Sequence, residues 1–157
     1  MSTEPHILAE NLADSLQDLA RLNIDSRDGF NFAAEKVQSA QPALAVHFRE
    51  FASHRDELSA SLNAVLQRDA RDAVSSGSFL ASMHRTLMSV RDALGADSDP
   101  YAVLAEAERG EEAISDAYEA IIKEFAGNPI TNLLNMQYAE VQNTHEHVRS
   151  LRNANRT

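Results

Sequence analysis

Apolar residues recur at three- and four-residue steps along almost the whole chain, the spacing of amphipathic α-helices rather than of strands. Five helices and no strands are predicted. Helix A runs from about Leu16 to Ser39, with Leu16, Leu19, Phe30, Ala33 and Val37 on one face. Pro5 behind Thr3 suits a first helical position, so residues from about Pro5 either form a leading helix or extend this one. Pro42 interrupts the pattern, because a proline cannot continue a helix from the preceding turn. Helix B then runs to about Arg68 through Leu44, Phe48, Phe51, Leu58, Leu62 and Leu66. After the loop signal "SSGS", a short helix C is expected from Phe79 to Leu94. "GADSDP" ends it and caps helix D, about Pro100 to Phe125. "GNP" marks a tight turn into helix E, about Pro129 to Arg152, and the tail 153–157 should fray.

Helices A, B, D and E are long and similar in length. The short A–B and D–E links make each pair an antiparallel hairpin, and the long stretch between B and D makes one crossover. The predicted fold is all-α: a ferritin-like four-helix bundle over 16–152, with helix C in the crossover and residues 1–15 as an N-terminal extension.

Polar residues that interrupt the apolar stripes change the picture. At about 100° per residue, Asn23 falls within about 20° of Phe30 on helix A. Arg55 lies within about 20° of Leu44, Phe48, Leu62 and Leu66, at the middle of the stripe of helix B. Glu111 sits about 60° from Ile114 on the side of Tyr118, whereas Glu108 and Glu112 point outward. His145 lies about 40° from Val141 and Gln142 about 100°, on the edge of the stripe, while His147 points away. Each long helix therefore sends one polar group inward: Asn23, Arg55, Glu111 and His145.

Di-iron bundles place ligands in this way, with a Glu from each of two helices and a Glu-x-x-His from each of the other two. Here helix E carries Gln142-x-x-His145, and helix B offers Arg55-x-x-Leu58. An arginine is never a ligand and keeps its charge. In the interior it would itself supply the positive charge, with Glu111 as partner and Asn23 and His145 completing the hydrogen bonds. A competing arrangement has Arg55 reaching past the stripe to solvent and His145 with Gln142 as an edge pair. His47, His54 and His84 are isolated on amphipathic helices and are read as surface residues; His145 and His147, two apart, cannot chelate one ion from a regular helix.

Composition narrows the function. The chain has 157 residues, 14 basic and 24 acidic, for a net charge of −10, which disfavours general affinity for nucleic acid or anionic lipid. There is no cysteine, so no thiolate ligand, disulfide or cysteine nucleophile is available. No apolar run reaches membrane-spanning length, and the start lacks a basic segment followed by an apolar one, so a cytoplasmic location is expected. Neither a glycine-rich phosphate loop nor a nucleophile elbow is present.

"SRDGFNFAAEKV", "FREFASHRDELSASL", "FLASMHRTLM", "LAEAERGEEAISDAYEAI" and "QYAEVQNTHEHVRSLR" together resemble one bacterial ferritin-like bundle family, domain of unknown function 2383. The resemblance spans about Leu16 to Leu151 and rests on Arg55, Gly110-Glu111 and Tyr118 in combination. It implies a ferritin-like fold and no assigned activity. Beside metal-loaded relatives such as the rubrerythrins, Asn23, Arg55, Leu58 and Gln142 stand where ligands are expected, leaving Glu111 and His145. The expectation is a non-enzymatic bundle without cofactor, structural or stress-related in role, working as a homo-oligomer with a dimer favoured. The alternative is iron or another divalent metal at an incomplete site of Glu111, Gln142 and His145. A further expectation makes Ile7, Leu8 and Leu12 an amphipathic arm for a protein partner.

Overall fold

A computed structural model of the chain describes residues 6–77 and 99–156. Four helices account for most of them: α1 Glu10–Val37, α2 Pro42–Arg68, α3 Pro100–Glu124 and α4 Thr131–Ala154. The helix expected over Phe79 to Leu94 lies outside the described residues. No strand occurs among those described, and the fold is an all-α four-helix bundle.

The helix ends follow local chemistry. Pro42 and Pro100 stand in first turns, where the missing N–H would have had no intrahelical partner. Asp99 caps α3 by accepting from the Tyr101 amide at 3.1 Å. Between α3 and α4, Gly127 adopts φ +90°, a backbone that side chains with a Cβ rarely take, and Asn128 receives the Ile130 amide at 2.9 Å. These turn contacts hold α4 back to Thr131, two residues after the expected start at Pro129. At the other terminus α1 begins at Glu10 rather than Leu16, because Leu12 and Ala13 are already core residues.

The first helices form a hairpin, the last two form another, and α1 also packs along α3. Two apolar clusters fix the directions. One gathers Leu12, Leu16, Leu19, Leu62, Leu66, Ile114, Tyr118, Leu134 and Val141 at one end. The other gathers Phe30, Val37, Leu44, Phe48, Val103, Leu104 and Val148 at the opposite end. α2 and α3 therefore run the same way. From the end of α2 the chain turns back and brings Gly77 against Asp25 in the middle of α1.

The N-terminal segment is tied to the end of α2. The backbone amides of Ile7 and Leu8 donate to Asp69 Oδ1 at 2.6 and 3.2 Å, and Arg71 bonds Asp69, Glu10 and the Leu8 carbonyl. Of the three residues expected to form a partner-binding arm, Leu12 is buried in the core and Leu8 packs against it, while Ile7 is 92% exposed. No helix among the described residues is long and apolar enough to cross a membrane.

Candidate functional site

Between the two apolar clusters each helix contributes polar side chains to the interior. On α1 these are Asn23, Asp25 and Ser26, on α2 Arg55, on α3 Glu108 and Glu111, and on α4 Thr144 and His145, all buried. The polar layer thus divides the core at mid-height.

At its centre Arg55 donates through Nη2 to Glu111 Oε2, both side chains being 1% exposed. The guanidinium also lies 5.8 Å from the centre of the Phe30 ring, an additional favourable contact for a cation. Arg55 Nε and Nη1 have no hydrogen-bond partner among the described residues, and neither does Ser115 Oγ on α3. Burial raises the Glu111 carboxyl to about 7; the attraction and hydrogen bond of Arg55 pull the other way and keep it from going higher. Arg55 therefore does not escape to solvent.

Asn23 and His145 do not complete the bonding of this pair, contrary to the sequence expectation. Asn23 Nδ2 instead donates to the Leu19 carbonyl at 2.9 Å and to Tyr118 Oη at 2.8 Å. Tyr118 Oη in turn donates to Gln137 Oε1 at 2.7 Å, and Gln137 Nε2 donates to the Leu58 carbonyl at 3.3 Å. One chain of bonds thereby links α1, α3, α4 and α2. Burial pushes the Tyr118 phenol well above the usual tyrosine range, which keeps it a donor at all ordinary pH. Gln137 was absent from the expected site, yet it lies about 40° from Val141 on the helical wheel, so the stripe of α4 did carry the signal.

His145 faces a different carboxylate. Its Nε2 is 3.7 Å from Glu108 Oε1, and Glu108 is buried at 5% exposure rather than directed outward. The reason is α4: Arg152 Nη1 bonds Glu108 Oε2 and Arg149 Nε lies 3.3 Å from Oε1, so two cations from the facing helix stabilise the carboxylate inside. Glu112 is exposed as expected, but its carboxylate lies with Glu108 and His145 so that one ligating atom of each falls within 4.8 Å of the others. Gln142 is half-buried and stands by the Tyr138 hydroxyl. Of the alternative set, Glu111 thus pairs with Arg55, Gln142 stands by Tyr138 and His145 faces Glu108.

The remaining histidines divide. His54 is exposed, whereas His47 is half-buried with Nδ1 lacking a hydrogen-bond partner among the described residues. His147 turns from α4 toward α2, its ring 5.0 Å from His47 and 5.1 Å from Phe51 in edge contact. His84 lies outside the described residues.

The family model described as "Domain of unknown function (DUF2383)" matches residues 11–124, which takes in α1, α2 and α3 and stops before α4. No curated protein matches the chain.

Proposed function

The chain belongs to the DUF2383 family, and we propose that it acts as a non-catalytic helical bundle whose interior polar layer is balanced by a side-chain cation. In this reading it is a ferritin-like protein by architecture, used for protein–protein interaction as a homo-oligomer, with a dimer favoured. Two antiparallel hairpins joined by one long connection support the architectural part. One observation carries the rest: Arg55, 1% exposed, bonded to Glu111 at the middle of the bundle.

Arg55 is fully buried, so unlike a surface arginine it cannot swing away from Glu111 to make room for an ion. It is permanently charged, so the layer needs no second cation to balance Glu111. The pair does not have to stabilise the fold, since desolvation offsets the attraction. Its bond instead ties α2 to α3 across the interior of the bundle.

Elemental analysis of full-length protein produced with added iron and manganese tests the reading. The expected result is no metal whose retention depends on Glu111. A stoichiometric ion that is lost on Glu111→Gln, with the helical content unchanged, would overturn it. Sedimentation over a range of concentrations tests the oligomer, with a monomer throughout as the contrary result.

A further inference from the structure

Away from the Arg55–Glu111 pair, a second group of side chains has the composition and the spacing of a cation site. Glu108 and Glu112 are four residues apart on α3, so both project from the same face of that helix. His145 comes from α4 opposite, and the three ligating atoms lie within 4.8 Å of one another. We propose that Glu108, Glu112 and His145 bind a divalent first-row transition-metal ion between α3 and α4. This site shares the polar layer but does not include the Arg55–Glu111 pair, and it does not depend on the reading given to that pair.

His145 carries the inference beyond a cluster of acids. Its side chain is 10% exposed, yet Nε2 has no hydrogen-bond partner among the described residues and looks toward Glu108 Oε1 at 3.7 Å. A buried ring nitrogen of this kind normally finds a partner. Zinc bonds of about 2.0–2.2 Å to nitrogen and oxygen put neighbouring ligands about 3.3 Å apart in a tetrahedral site. The His145–Glu108 pair is already near that separation, and Glu112, being exposed, can swing inward to close the third edge. The two carboxylates and one imidazole suit zinc, iron or manganese better than a soft ion such as copper(I).

The arginines have distinct places in this arrangement. Arg152 holds Glu108 through Oε2 and leaves Oε1 for the ion, orienting the ligand as outer hydrogen bonds do in metal sites. Arg149 is 45% exposed, approaches the Oε1 side at 3.3 Å and also pairs with Glu146 at 3.4 Å. It competes for the atom the metal needs and can retreat onto Glu146 when an ion arrives.

Equilibrium dialysis of the full chain against zinc, with cobalt(II) as the visible-absorption probe, tests the site. One ion per chain is expected, with the binding lost in His145→Ala and weakened about tenfold or more in Glu112→Gln, a surface change that leaves the core untouched. His147→Ala and Glu111→Gln should bind as the wild type does, and Arg149→Ala should bind more tightly. Absence of saturable binding, or binding that survives His145→Ala, overturns the proposal. Binding that disappears with Glu111→Gln but survives Glu112→Gln also overturns it, and that outcome alone counts against the interior reading as well.

Discussion

Glu111→Gln should abolish a pH dependence of stability that the wild type shows on the mildly acidic side of neutrality. Burial raises the Glu111 carboxyl to about 7 from the ordinary 4.5, against the opposing pull of Arg55. Between those values the folded chain holds a proton that the unfolded chain has released. Raising the pH across the window therefore draws the equilibrium toward unfolding. The contribution is fully present below about 4.5 and is lost as the pH rises through about 7. At about 1.4 kcal/mol per pH unit, the gap amounts to about 3 kcal/mol. Glutamine keeps the shape and an acceptor oxygen but cannot titrate. Urea unfolding followed by circular dichroism at half-unit steps from pH 4.5 to 8 would measure both proteins, and their difference isolates this one carboxyl from other titrating groups. Asp69 acts in a separate range. Burial alone would raise it, but bonds from Arg71, Ile7 and Leu8 outweigh burial and hold it below 3.8, so its contribution fades only in stronger acid. If the wild type and Glu111→Gln change in parallel over the whole range, Glu111 is not the buried acid described above.

Three other substitutions test neighbouring contacts. Arg55→Met should cost about 3–5 kcal/mol at pH 8, where Glu111 must stay ionised without its cation or take up a proton, whereas Arg55→Met with Glu111→Leu should recover that loss or exceed wild-type stability; chemical denaturation of both variants decides. Tyr118→Phe removes the hydroxyl between Asn23 and Gln137 and should lower stability by about 1–3 kcal/mol, read from the urea midpoint at constant slope. Ala70 has φ 59° just after α2, where Arg71 N bonds Leu66 O at 2.9 Å and Ala70 N bonds Gln67 O at 3.0 Å. That is a Schellman ending with alanine in the position glycine usually holds, so Ala70→Gly should raise stability by up to about 1 kcal/mol, visible as a higher melting temperature.

What the sequence disclosed and what it concealed have one physical origin. The bundle was legible because burial of a helix face is periodic, and the same periodicity placed Arg55 and Glu111 inside. Periodicity describes one helix at a time, however. It assigned Glu108 outward because that residue lies about 120° from Ile114, and the assignment failed because α4 covers that side of α3. The cations that make burial of Glu108 tolerable, Arg149 and Arg152, are far along the chain and have no periodic relation to it. Asp25 is the same case: it is 1% exposed and faces Gly77, which a returning connection brings against it. An added Cβ at Gly77 would come within 1.7 Å of Asp25 Oδ1, so the contact depends on the residue being glycine. Inward apolar residues need no particular partner and can be read from their own helix. A buried charge needs one, and the partner's position is a property of the packed bundle. Asn23 illustrates the boundary: its depth followed from spacing, but its bond to Tyr118 rather than to Arg55 was decided by which side chain of α3 stands level with it.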